Sequence, residues 1–293
     1  MRFAYAESMC DPSYYLPLAK AAEAAGFTTF TVPDSICYPE ASDATYPYTQ
    51  TGDRAFLEDK PFIEPFSLVP AMGAVTTNLR FATFVMKLPI RSPVLVAKSV
   101  TTVAVLTGNR FALGVGASPW PEDFQVTFQD FPSRGKRMNE MIAILRGLER
   151  GGYFEFHGEH YDLPKIKLCP VPSAPVPILI GGHSKPALRR AAELGDGWMF
   201  AGGPHEELVA CLDQLATLRR AAGRENAPFT IFATSRDAYS VDGVRRLEDL
   251  GVTDLVVGFR DAYVMAQDTQ PLATKVEMIK RYADKVISKM PPA

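Results

Sequence analysis

Two glycine pairs, each delivered by a short apolar run, are the residues in this sequence best suited to holding an anionic ligand. The run PILI (177–180) leads into Gly181, Gly182, His183 and Ser184, and then into a segment with Ala187, Leu188, Ala191 and Ala192 on one helical face. A strand that passes through glycines onto a helix start presents backbone N–H groups and the positive end of the helix dipole, which suits a phosphate. Lys185 adds charge nearby. The same residues serve equally well as a tight turn with Ser184 as N-cap. A second pair, Gly202 and Gly203, follows Ala201 after GWMF (197–200), which places a similar turn beside the first if the two runs are neighbouring strands. The other polar residues at strand ends are Glu7, Ser8, Asp34, Ser35, Lys87, Ser118 and Arg260. No nucleophile–base set emerges from them. His157 and His160 sit in FEFHGEHYDL with Gly158 between them and no matching carboxylate cluster, so no metal site is expected. Neither a P-loop nor a GxGxxG after a strand occurs. A phosphate cradle without its own acid–base set points to a cofactor that brings the chemistry.

The elements that position these residues alternate from end to end. Short runs rich in Val, Ile, Leu and Phe are expected as strands at Arg2–Ala6, Thr28–Val32, Arg80–Met86, Arg110–Val115, Pro177–Ile180, Gly197–Phe200, Phe229–Ala233 and Asp254–Phe259. Helical spacing follows each, including Pro65–Thr77, Pro93–Leu106 and Arg134–Arg150. Near-continuous apolar strands belong to parallel sheets buried on both faces. Eight strand–helix units in 293 residues give an α/β chain, a (β/α)8 TIM barrel forming one domain over 1–293, with a doubly wound open sheet as the fallback. Insertions are expected after strands 2 and 4, at residues 33–64 and 151–176; the first is read as a lid or pocket wall.

Composition bounds the partners. The 31 basic and 33 acidic side chains leave a net charge of −2, which argues against nucleic acid or a polybasic membrane role. No apolar run approaches the roughly 20 residues of a membrane span. MRFAYAESMC lacks the pattern of a signal peptide, and Cys10, Cys37, Cys169 and Cys211 are scattered. A cytoplasmic protein with reduced thiols and a small-molecule substrate is the expectation.

Four stretches in order then carry a specific resemblance: GFTTFTVPDS (26–35), LRFATFVMKLPIRSPVLVAKSVTTVAVLTGNRFALGVGAS (79–118), FPSRGKRMNEMIAILRGL (131–148) and GGHSKPALRRAAELGDGW (181–198). Together they resemble the luciferase-like monooxygenase superfamily, and YPYTQTGDR (46–54) resembles its branch that uses the deazaflavin coenzyme F-420 (8-hydroxy-5-deazaflavin). The resemblance implies coenzyme phosphate on Gly181, Gly182, His183 and Ser184, with Ala201 and Gly202 alongside. It implies a ring lying across the barrel mouth against a bulge at Phe84 and Val85, where relatives often carry a non-proline cis peptide. Ala117 and Ser118 would border the ring, and Asp34 and Ser35 would be the catalytic polar handles facing ring and substrate. Tyr46, Tyr48 and Trp120 would wall the pocket. Ser35 replaces the family's usual histidine, which weakens a proton-donor role there. Ser118-Pro119-Trp120 stands where sugar-phosphate dehydrogenases of the branch have a glutamate, which argues against sugar-phosphate oxidation by the same apparatus. Phe84, where the family has glycine, reads equally as a ring beside the coenzyme or as core.

Hydride transfer between coenzyme F-420 and a small organic substrate is the leading expectation. The runner-up is an FMN-dependent monooxygenase. An isomerase or lyase using Lys87 as a Schiff base, and a barrel that only binds coenzyme, are the further readings. A homodimer is implied by the resemblance alone.

Overall fold

The computed structural model describes residues 1–42, 44–46, 52 and 54–291. Its centre is a closed ring of eight parallel strands: β1 (Arg2–Ala6), β2 (Thr29–Val32), β3 (Arg80–Thr83), β4 (Phe111–Gly116), β5 (Ile178–Gly181), β6 (Gly197–Phe200), β7 (Thr230–Thr234) and β8 (Asp254–Val257). Pairing of β1 with β8 and of β3 with β4 completes the circle, so the expected TIM barrel is present and the open sheet is not. Helices α1 (Tyr15–Ala24), α2 (Pro65–Gly73), α3 (Pro93–Leu106), α4 (Pro121–Val126), α5 (Arg134–Leu148), α6 (Lys185–Leu194), α7 (His205–Ala221), α8 (Val241–Asp249) and α9 (Leu272–Lys285) complete the strand–helix alternation. Among the described residues no helix is long and apolar enough to cross a membrane.

Two apolar layers hold this together. Ala4, Ala82, Leu179, Met199, Phe232 and Val256, all from strands, fill the barrel's interior, with Ala112 packed against them. The larger layer lies between strands and helices and includes Phe30, Phe81, Leu113, Ile178, Ile180 and Trp198 against Leu18, Met72, Val100, Met141 and Leu188. Alternate strand residues feed the two layers, which is why the strands read as continuously apolar.

The third strand departs from the run expected at Arg80–Met86. Regular pairing stops at Thr83 and resumes at Met86 and Lys87, which face Val115 and Gly116. Ala82 to Met86 is a step of four residues against the three from Ala112 to Val115, so Phe84 and Val85 form a one-residue bulge, joined by a cis peptide. Thr83 is drawn close to β4, where its Oγ1 donates to the Gly114 carbonyl at 2.7 Å.

Two further differences, and the second insertion, bear on the site. α2 ends at Gly73, not Thr77, because Arg110 Nη2 donates to the Gly73 carbonyl at 2.8 Å and another turn is not built. α4 is an additional short helix, started by Pro121 with Glu122 and Asp123 in its first turn. The second insertion lies where expected, between α5 and β5. Its antiparallel pair, Phe154–His157 and Asp162–Ile166, is tied to α5 by Glu140, which accepts from the amides of Glu159, His160 and Tyr161.

A Cβ at Gly114 would lie 1.9 Å from the Thr83 carbonyl oxygen. Gly114→Ala must therefore push two backbones apart, and a loss of about 3 kcal/mol is expected in urea unfolding. Gly152→Ala, which meets nothing within 4 Å, is the comparison and should stay within about 0.5 kcal/mol of the parent.

Candidate active site

The C-terminal ends of the strands carry Asp34, Ser35, Ala117, Ser118, the turn at residues 181–184, Ala201 and Gly202, since chain direction places strand-to-helix turns on that rim. His157 and His160 instead lie in the antiparallel pair and its turn, away from it. The two glycine turns are indeed neighbours, because β5 pairs with β6. Gly182, Gly202 and Gly203 take φ of 113°, 114° and 150°, the left-handed range that favours glycine. Trp198 Nε1 donates to the Gly182 carbonyl at 2.9 Å, and Ser184 Oγ accepts from the Ala187 amide at 3.4 Å as the N-cap of α6. The capping reading of this turn is thus realised by Ser184.

His183 ties the turns together. Its ring stacks on Phe200 with centroids 4.3 Å apart and planes at 13°. Its Nε2 accepts from the Ala201 amide at 3.3 Å, while Nδ1 lies 3.0 Å from Glu207 Oε1. An imidazole that accepts at Nε2 carries its proton on Nδ1 and is neutral. Burial holds its pKa below the usual histidine value, with Glu207 offsetting part of the shift. Glu207 also lies over the second turn, where a Cβ on Gly203 would come within 2.5 Å of its Oε2.

The bulge lies beside the first turn. Cβ atoms at Gly116 and Gly181 would stand 2.9 and 2.8 Å from the Val85 methyls, so Val85 rests on two glycines at the tops of β4 and β5. Phe84 is half-buried on top of the interior cluster, which joins the two readings of it: one part is core and the rest is rim. Ala117 packs on the main core. Ser118, at φ 60°, accepts from the Trp120 amide at 3.1 Å and donates to Asp123 Oδ2 at 3.1 Å. Asp34 occupies a supporting place more than an open one. Its side chain is 2% exposed, Oδ2 accepts from the Lys87 amide at 2.8 Å, and Oδ1 accepts from Arg91 Nη2 at 2.8 Å. Ser35 is half-buried at the same strand end.

The first insertion reaches across the rim. Tyr46 stacks on Trp120 (5.2 Å, 10°) and adjoins Phe56 and Tyr263, while the Arg54 guanidinium lies 4.2 Å over the Trp120 ring. Lys60 Nζ donates to the carbonyls of Met265 and Ala266 at 2.7 and 2.6 Å. Through Tyr46, Arg54 and Lys60 the described part of the segment is fastened to the loops after β4 and β8. Tyr48 lies outside the described residues.

Lys87 and Glu7 are marked by their strand-end positions, but their partners Asp123, Asp268 and Lys275 have no local sequence signal. Lys87 Nζ pairs with Asp123 at 2.7 Å, and Lys275 Nζ pairs with Asp268 at 2.7 Å and with Glu7 at 3.1 Å. Burial works against the Lys275 ammonium, but Asp268 and Glu7 outweigh it and leave its pKa raised. Lys275 comes from α9 and Glu7 from the end of β1, a separation no spacing pattern spans. Glu207 belongs to an acidic first turn of α7 and looks like ordinary dipole compensation.

Comparison with known proteins adds five findings. The family model for luciferase-like monooxygenases matches residues 3–242. An uncharacterized protein of Mycobacterium tuberculosis (strain H37Rv) is 56% identical over 290 residues, 99% of this chain and all of its own. An F-420-dependent glucose-6-phosphate dehydrogenase of Mycobacterium avium is 32% identical over 204 residues, 67% of this chain and 55% of that protein. Among solved structures, the monooxygenase RslO1 of Streptomyces bottropensis superposes with TM-score 0.77 at 15% identity, covering 98% and 99% of the two chains. The coenzyme F-420-dependent tetrahydromethanopterin reductase of Methanopyrus kandleri gives 0.75 at 14%, covering 99% of each.

Two expectations follow from this geometry. The unfolded chain protonates His183 more readily than the folded one, so the neutral bridge stabilises above about pH 6.5 and is lost as pH falls through the lower folded value. The stability gap between wild type and His183→Phe, measured by urea unfolding, should therefore shrink from about pH 7.5 to about pH 5; a constant gap would exclude the bridge as its source. Asp34→Asn unpairs Arg91 and should cost about 3 kcal/mol in the same assay, as for a broken buried ion pair. Unchanged stability with lost turnover would instead make Asp34 a substrate group.

Proposed function

The chain belongs to the luciferase-like monooxygenase family, and from that premise we propose that it is an oxidoreductase that moves a hydride between coenzyme F-420 and a small organic substrate. The observation that carries this reading is the paired glycine turn on the barrel rim, bridged by His183 and adjoining the Val85 bulge. The fit of a phosphate-bearing coenzyme rests on the positive φ of Gly182 and Gly202, where a larger residue would be strained, and on the first-turn amides of α6. The choice of the deazaflavin is supported by the M. avium relative named for F-420 dependence.

When bound, the deazaflavin supplies a ring carbon that accepts or gives a hydride. The protein's part is placement. Gly182, His183, Ser184 and Gly202 would hold the phosphate end, and Val85 and Phe84 would face the ring. Tyr46 and Trp120, stacked on each other, would keep water from the reacting carbon, which protects a hydride from protonation. In the oxidative direction the substrate's C–H gives the hydride and its O–H proton passes to solvent, leaving a carbonyl; the reverse direction reduces a carbonyl. Asp34, through Lys87 and Arg91, keeps the strand end beside the bulge in place.

The cradle suits FMN equally, and the fold is also that of RslO1, a monooxygenase. A side-by-side fluorescence titration with coenzyme F-420 and FMN, in both redox states, separates the readings. Tighter binding of the deazaflavin is expected; a preference for reduced FMN would move the assignment to oxygen chemistry. Gly182→Val should weaken the preferred coenzyme by about 100-fold or more, since a β-branched residue is strained at φ 113° and crowds the amides. Unchanged affinity would remove the cradle from the reading.

A further inference from the structure

We infer that the substrate accepted at this barrel mouth is an uncharged alcohol or carbonyl compound with an apolar body, and not a phosphorylated or carboxylated one. This inference rests on the mouth being the substrate site of the oxidoreductase proposed above. It comes from where the rim's charges are already spent.

Four sets of ion pairs gather at the rim. Lys87 is held by Asp123 at 2.7 Å and Arg91 by Asp34 at 2.8 Å. Arg54 faces Glu122 at 3.3 Å. Lys275 and Arg260 share Glu7 and Asp268, with Lys275 at 3.1 and 2.7 Å from the two carboxylates and Arg260 3.8 Å from Asp268. Each of these five cations thus has a carboxylate beside it, and most of the side chains involved are nearly inaccessible. Lys60 spends its ammonium on two carbonyls.

Away from the helix start already assigned to the coenzyme, a phosphate or carboxylate needs an unoccupied guanidinium fork or ammonium to offset its lost hydration. Here it would have to displace a protein carboxylate from a buried pair and leave that charge unpaired, which costs more than the exchange returns. An uncharged oxygen meets no such penalty. Arg260 Nη2 is buried and makes no hydrogen bond among the described residues, whereas Arg54 Nη2 already faces Glu122. Arg260 Nη2 is an N–H donor on a cation whose charge is already balanced, which suits a carbonyl or hydroxyl. The stack of Tyr46 on Trp120, with Phe56 and Tyr263 beside it, offers an apolar surface to the rest of the molecule.

Exposed cations without an ion-pair partner among the described residues do occur on this rim, but at the glycine turns. Lys185 opens α6 and Arg236 follows β7, next to the strand that carries Gly202. Positive charge is available where the coenzyme's anionic end is proposed to rest and is neutralised where the substrate would enter. The sugar phosphate named for the M. avium relative is therefore not the substrate expected here.

The test compares near-isosteric ligands, 4-methylcyclohexanol and 4-hydroxycyclohexanecarboxylate, by tryptophan emission, which needs no coenzyme signal. Wild type should bind the uncharged member at least about tenfold more tightly. Asp123→Asn, which unpairs Lys87, should narrow that ratio to about threefold or less, and Glu122→Gln, which unpairs Arg54, should narrow it in the same direction. Equal or tighter binding of the carboxylate by wild type overturns the inference, as does binding of neither ligand or an unchanged ratio in both folded variants. Coenzyme titration on the same samples is read separately, so failure of F-420 to bind counts against the coenzyme reading and leaves the ligand ratio interpretable.

Discussion

The close approach of β3 to β4 is the constraint on which the rest of this structure depends. Thr83 and Gly114 meet at a distance that no side chain would permit, and the ring of strands closes there. Immediately beyond, the bulge at Phe84 and Val85 uses the space that Gly116 and Gly181 leave. Closure of the barrel and the floor of its mouth are therefore one packing problem. A larger residue at any of the three glycines would disturb both, because close-packed interiors transmit a displacement to their neighbours. The small interior side chains Ala4, Ala82 and Ala112 face the bulkier Met199 and Phe232 in the same economy of volume.

Above that floor, polar groups are used for position more than for display. His183 joins two turns by accepting an amide hydrogen, which only a neutral ring can do. Asp34 holds the resumed strand at Lys87 and the side chain of Arg91. Ser118 stands between Trp120 and Asp123. Buried pairs of this kind contribute little net stability against apolar replacements, but removing one partner is costly. Their effect is to give the rim a single arrangement in which the aromatic wall and the glycine turns face one mouth. Such preorganisation is what a protein must contribute when the reactive atoms belong to a coenzyme.

Much of the fold was legible because its signals are local. Gly197–Phe200 and Pro93–Leu106 are found at the limits their apolar patterns indicate, and the other barrel strands lie within a few residues of theirs. The bulge was approached through resemblance, and its register step is a property of the pairing with β4. Errors fell where a distant side chain decides an end, as Arg110 does for α2, or where a six-residue helix is too short to show a period, as in α4. The candidate site divides in the same way. The glycine turns were visible as composition at strand ends, and Asp34 was visible as a position, although its partners were not.

By itself, then, the sequence determined the alternation of strands and helices, the barrel class and the family. Periodicity and glycine placement are short-range properties, and family motifs are contiguous. Only the tertiary structure decided which charges neutralise one another, which aromatic rings meet, and that His183 spans two turns. Glu7 and Lys275 are separated by 268 residues yet lie 3.1 Å apart. Their meeting exists because β1 and α9 enter the same rim once the ring closes, a condition that no stretch of chain expresses before it folds.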